Sequence, residues 1–287
     1  MSILEDLKLQ YKIGGIANKM IYWNVGIFIL SIPFFYQFKT GVFAYPDWLA
    51  VSSEPMAILY KPWTLLTYAF FHDGFMHLFF NMMVLNFASR LFLTFFTQKQ
   101  YLGLYLLSAL FAGLIYVLSF YILGYSSLMV GASAAIMALL VATTTYQPLM
   151  EIRLLLIGNV KLWHIAGVLI LLDLLQLQMG NMGGHIAHLS GAFFGYIYIT
   201  LLQRGTDLSR IVSSVIDFGA NVFSPKKSTP FKKVHVNPKK PAVKSQSKIV
   251  TKDKTQQQID EILDKISQSG YDSLTTEEKE FLFKSGK

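Results

Sequence analysis

The sequence predicts an all-α polytopic membrane protein: a bundle of six transmembrane helices with a cytoplasmic C-terminal tail. Three observations predict it. Of 287 residues, 53% are hydrophobic and 15% charged, with a mean hydropathy of +0.43, whereas soluble domains carry about a quarter of charged residues. Six apolar stretches each come close to the roughly 20 residues that a bilayer core demands. Most of the charged residues follow Gln203, so an apolar domain precedes a water-exposed tail.

Residues 1–19 read as a cytoplasmic N-terminal segment. They lack the basic, then apolar, then small pattern of a cleaved signal, so the first span is expected to be retained. The spans are placed at 20–38, 72–93, 99–123, 131–148, 160–178 and 184–203. The second is interrupted by His72, Asp73, His77, Asn81 and Asn86, and polar groups at such depth must face the bundle interior or a wet cavity. Between the first two spans, residues 38–71 carry Tyr45, Pro46, Trp48, Pro55, Pro62 and Trp63, which suits a loop lying at the headgroup level. With no cysteine in the chain, disulfides, thiolate nucleophiles and Cys-containing metal sites are excluded.

Lys and Arg near the span ends set the orientation. Lys8, Lys12, Lys19, Arg90, Lys99, Arg153, Lys161, Arg204 and Arg210 fall on one side; only Lys39 and Lys61 fall on the other. Both termini are therefore predicted to be cytoplasmic in a multi-pass integral protein, and the expected setting is a bacterial inner membrane. The second, fourth and sixth spans then run inward from the outer face. Their outer ends carry His72, His77 and Asn81, then Ser133, then His185 and His188, with Ser133 and His188 both within about 10 Å of their helix starts.

A serine becomes a competent nucleophile when a neighbouring base takes its proton, and neutral histidine is the usual base. Ser133 and His188 satisfy this if the fourth and sixth spans touch. Ala187, Gly191 and Gly195, four apart, and Gly131 with Ala135 supply the small surfaces that close approach in lipid requires. Asn81, His77 one turn before it, and the Ser133 backbone N–H at a helix start are donors for an oxyanion. No carboxylate stands beside His188 in the sequence, so a dyad is expected rather than a triad. Asp173, the one carboxylate deep in a span, is expected to hydrogen-bond a partner helix or shape a polar cavity. A rival chemistry remains open on the residues alone: His72, His77, His185 and His188 are four of six histidines, and imidazole suits zinc. The preferred reading assigns no metal and no cofactor.

These segments resemble the rhomboid family of intramembrane serine proteases. HDGFMHLFFNMM is similar to the family's second-helix motif, GASA to its Gly-x-Ser-Gly nucleophile motif and HIAHLSGAFFG to its sixth helix; PWTLLTYAFFH resembles the run into helix 2. The resemblance covers about residues 20–203. It implies a rhomboid-like bundle that cuts peptide bonds in or beside transmembrane helices, with single-pass membrane proteins as substrates. Ser133 would be nucleophile, His188 general base and then acid, and His77, Asn81 and the Ser133 backbone N–H the oxyanion hole. His72, Gly131, Gly191 and Gly195 would support them. Ala134, Ser190, Thr64 and Met137 depart from the family pattern, which bears on rate and substrate preference. The alternative is a weak or inactive rhomboid-like protein that binds unstable transmembrane helices without cutting.

The connection LQLQMGNMGGH, with Met179 and Met182 as soft apolar plugs, is a candidate lid over Ser133 and His188. Residues 204–255 read as a basic, Pro-containing disordered linker: from Lys226 to Lys254 there are ten lysines and one aspartate. Such a segment suits anionic lipid, and its scarcity of aromatics argues against nucleic acid. Residues 256–287 read as a small helical hairpin, with Ile259, Ile262, Leu263 and Ile266 on one face, Gly270 as a stop and Thr275 with Glu278 as a capping box. It is expected to dock on its own membrane domain or on a cytoplasmic partner.

Overall fold

In the computed structural model, residues 2–155, 157–223 and 254–285 are described. They fall into two units, Met1–Lys227 and Ser228–Lys287, each treated by itself. The lysine-rich stretch expected to be disordered lies almost wholly outside the described residues.

The first unit opens with α1 (Ile3–Ile13), capped by a Ser2–Glu5 box, and α2 (Ile16–Phe35). The connection that follows is ordered throughout. A hairpin pairs β1 (Tyr36–Gln37) with β2 (Val42–Phe43); then come β3 (Val51–Ser52), α3 (Pro55–Tyr60), α4 (Thr64–Thr67) and a 3-10 turn over Tyr68–Phe70. Aromatic packing and backbone bonds hold this segment: Trp63 Nε1 donates to the Trp48 carbonyl, Thr67 Oγ1 to that of Leu49 and Tyr68 Oη to that of Ala109.

Next come α5 (Phe75–Phe95), α6 (Gln98–Leu123), β4 (Leu128–Met129) and α7 (Ser133–Tyr146). A second hairpin joins β5 (Glu151–Leu154) to β6 (Gly158–Lys161), and α8 (Leu162–Gln176), α9 (Met182–Gln203) and α10 (Ser209–Phe223) complete the unit. By length and composition, α5, α6 and α9 are able to cross a membrane, and α7 and α8 are shorter apolar helices. A fold of apolar helices is thus present. α2 falls outside the group of three, because Asn18, Lys19 and Asn24 lower the hydropathy of its first half.

At the centre lies α7. Every residue from Ala134 to Thr143 is buried, as expected of a helix that is apolar all round. Its most extensive neighbour is α9, followed by α5 and α6. The reason is local: a Cβ on Gly191 would lie 2.0 Å from the Ala134 carbonyl oxygen, and one on Gly195 would lie 2.3 Å from that of Ala138. Two glycines four apart let α9 rest its backbone on that of α7. Ser190, beside Gly191, turns its hydroxyl back to the Ile186 carbonyl at 2.7 Å.

Two further expectations are corrected. The second apolar helix starts at Phe75, after Gly74, so His72 and Asp73 precede it. Residues 209–223, placed in a disordered linker, form α10, which packs on α6 where a Cβ at Gly103 would meet Ser209 Cβ at 2.6 Å.

In the second unit, α11 (Lys254–Ser269) and α12 (Thr276–Ser285) flank a 3-10 turn over Tyr271–Ser273. Gly270, with φ +79°, ends α11, and Thr275 and Glu278 exchange the capping bonds read from the sequence. Ile262 and Leu274 are buried, but Leu263 is half exposed and lies off the inward face.

Candidate active site

The turn before α7 is built by its neighbours. Val51 and Ser52 of β3 pair with Met129 and Leu128 of β4, the Ser53 N–H donates to the Ser127 carbonyl, and the Gly131 N–H donates to that of Tyr68 at 2.9 Å. Gly131 then takes φ +139°, a conformation that L side chains rarely adopt. The chain thereby delivers Ser133 as the first residue of α7, with Ala132 as cap. The N–H groups of this first turn have no acceptor within the helix. Ser133 is thus at the helix end, two residues nearer to it than the span boundary at 131 implied.

Over this turn stands the ring of His77. The position of a Cβ on Gly131 would be 3.1 Å from His77 Nε2 and 3.6 Å from Ser133 Oγ. So the imidazole and the hydroxyl converge on the space that this glycine leaves open. The other ring nitrogen of His77, Nδ1, is hydrogen-bonded to Asp73 Oδ1. One turn on, Asn81 is buried, gives one amide hydrogen to the His77 carbonyl at 2.8 Å and keeps a second. His72 is fully buried, its ring edge-on to His77 at 5.1 Å, and its carbonyl accepts from Tyr45 Oη.

Opposite, α9 carries His188. His188, Ser133, His77 and Asn81 all line one cavity of about 1180 Å³. Its side walls come from different helices: Phe80 and Val84 from α5, Leu169 and Leu172 from α8. Among the described residues Ser133 makes no hydrogen bond to His188. Apo catalytic contacts are commonly long and tighten with substrate.

Asp173 is where the sequence reading needs correcting. A carboxylate partner for His188 was not expected, yet Asp173 Oδ1 on α8 lies 2.9 Å from His188 Nδ1 and 2.8 Å from His185 Nδ1. Asp173 is 7% exposed. The expectation that it bonds a neighbouring helix was correct in kind; the neighbour is the histidine pair of α9. The four histidines considered as one metal site form two pairs. Donor atoms of Asp173, His185 and His188 lie within 4.8 Å of one another, the group among the described residues with metal-ligand proximity, whereas His72 and His77 face each other with ring centres 5.1 Å apart.

The lid segment enters the cavity wall through Leu177, Gln178, Gly180, Asn181 and Met182. Met179 is 82% exposed and points away, so it does not plug the site. Asn181, at φ +49°, caps α9 by accepting from the Gly184 N–H. Met137, one turn after the serine, packs with Val141, Ala166 and Ala192.

Residues 60–205 match the family model of the Rhomboid domain. The chain belongs to the rhomboid family. The matched region of this rhomboid holds His77, Asn81, Gly131, Ser133, Asp173 and His188. Residues 250–284, which include the hairpin, match a family of unknown function, DUF6576. No curated protein matches the chain.

Proposed function

We propose that this rhomboid is an intramembrane serine endopeptidase that hydrolyses peptide bonds in or beside transmembrane helices of membrane proteins. The observation that carries the reading is the meeting of Ser133, at the exposed N–H end of α7, and His188 of α9 in one cavity, on the helix pair whose glycines bring the two backbones together. His188 takes the Ser133 proton as Oγ bonds to the scissile carbonyl carbon. The carbonyl oxygen becomes an oxyanion, facing the Ser133 N–H, Asn81 and His77. His77 can donate through Nε2 only with protons on both nitrogens, because Nδ1 faces Asp73. His188 then passes its proton to the leaving nitrogen as the C–N bond breaks, and water entering the cavity releases the acyl group by the same steps reversed.

In this reading the bundle has six spans with both termini cytoplasmic, as the Lys and Arg distribution favours, in a bacterial inner membrane. α7, with 14 residues, rises about 21 Å, less than the roughly 30 Å of hydrocarbon. Ser133 is therefore recessed, and the cavity carries water down to it. A substrate helix enters between α5 and α8 and must unwind before its backbone reaches the serine, so the suited substrates are single-pass proteins with helices weakened by Gly or Pro.

The test is purified protein in detergent with a fluorophosphonate probe and a panel of transmembrane substrates. Wild type should label and cut, while Ser133→Ala and His188→Ala should do neither. Equal cutting by both variants refutes the serine mechanism. Absence of both labelling and cutting in wild type would favour a helix-binding relative without protease activity.

A further inference from the structure

We infer that Asp173 is a positioning residue for His188, so that the reacting unit of this chain is a serine–histidine–aspartate set. The inference rests on the protease reading above and deepens it.

Asp173 lies in the run VLILLDLLQLQ, where a carboxylate is expensive unless it is paired. Its pairing is specific: one oxygen, Oδ1, meets the Nδ1 atoms of both His185 and His188. An ionised carboxylate has only acceptors, so each of those nitrogens must carry its proton. For His188 this fixes the tautomer. Nδ1 is protonated, and Nε2 presents the lone pair that the Ser133 proton needs. The ring is also fixed in direction, since α8 and α9 pack together and the bond spans them. His185, one turn before His188, gives the carboxylate a second donor, so its orientation does not depend on His188 alone.

The step balances without any outside reactant. The proton leaves Oγ for Nε2, the Oγ–C bond forms, and the carbonyl electron pair moves onto oxygen. The resulting imidazolium lies between the oxyanion and the Asp173 carboxylate, which keeps its charge throughout. The proton then goes to the departing nitrogen.

The experiment uses the full-length protein and Asp173→Asn, which keeps size and shape. Its carboxamide can turn an N–H toward Nδ1, which moves the imidazole proton to Nε2 and removes the base. Expected is a fall of about 10²- to 10⁴-fold in fluorophosphonate labelling rate and in kcat, with KM within about threefold. Nitrogen-15 NMR of labelled histidines should show His188 protonated at Nδ1 in wild type and at Nε2 in Asp173→Asn. His185→Leu, which removes only the second donor, should label at least about tenfold faster than Asp173→Asn. Equal loss in those two variants would assign the carboxylate to holding His185 and overturn the inference. So would wild-type labelling in Asp173→Asn beside a silent Ser133→Ala, which leaves the protease reading standing. If Asp173→Asn fails to fold, the wild-type spectrum decides: an Nε2-protonated His188 overturns the role. A wild type that neither labels nor cuts overturns the protease reading itself, and this role with it.

Discussion

Single glycines and single charges decide this site. Gly131 is required twice, by its φ of +139° and by the 3.0 Å between its missing Cβ and the His77 ring. Gly131→Ala should therefore cost about 1–3 kcal/mol in backbone strain alone and cut fluorophosphonate labelling by more than about tenfold. Gly191→Ala should separate α7 from α9, because its methyl would fall 2.0 Å from the Ala134 carbonyl oxygen. Overpacking costs of about 1–3 kcal/mol should lower the thermal midpoint and the labelling rate together. Gly26→Ala, with open space around it in the interior of α2, should leave the labelling rate unchanged and not lower the midpoint. Ser133, His188, His77 and Asn81 were legible in the sequence because each is a polar group in an apolar run, and a run advertises its exceptions. Asp173 was legible as an exception in the same way. Its partner was not, since the loop before α9 lies between them and only the packing of α8 on α9 closes the gap.

Among the elements, α5 and α8 form opposite walls of the cavity, and α8 rests chiefly on α9. Since the native chain has no cysteine, a tether between those walls can be read without interference. Phe80→Cys combined with Leu172→Cys should stop substrate cleavage when bridged by a reducible bifunctional thiol reagent and restore it on reduction, with small-probe labelling retained in both states. Undiminished cleavage in the bridged protein would reject entry between these helices. α10 is hidden in the sequence because Arg204, Asp207, Arg210 and Asp217 give its stretch the charge of a linker. The signal was present in Ile211, Val215, Phe218 and Val222, one apolar stripe at helical spacing. Truncation after Phe223 should keep the wild-type thermal midpoint. Truncation after Gln203 strips α10 from α6 and should lower it; equal midpoints would show that α10 adds nothing to the fold.

At the scale of the whole chain, each described unit has its own means of holding together. In the hairpin, Lys265 Nζ bonds both Glu278 oxygens at 2.9 Å, and this bond first, then the Thr275 N–H, holds the Glu278 carboxyl below its usual range. A depressed carboxyl contributes stability above its unfolded pKa and loses it as pH falls through the folded one. Amide protection factors across 254–285, referred to intrinsic exchange at each pH, should thus fall on acidification below about pH 4.5, and Lys265→Met should weaken that acid sensitivity. The helical order of the first unit was readable because each apolar run comes near the length of the span it builds. The ordered connection between α2 and α5 was not, since its β3 residues acquire their partner only when β4 arrives. That pairing carries a consequence for the order of events in synthesis. Val51 and Ser52 leave the ribosome long before Leu128 and Met129, so the turn that presents Ser133 is complete only when the earlier loop has come back to meet β4.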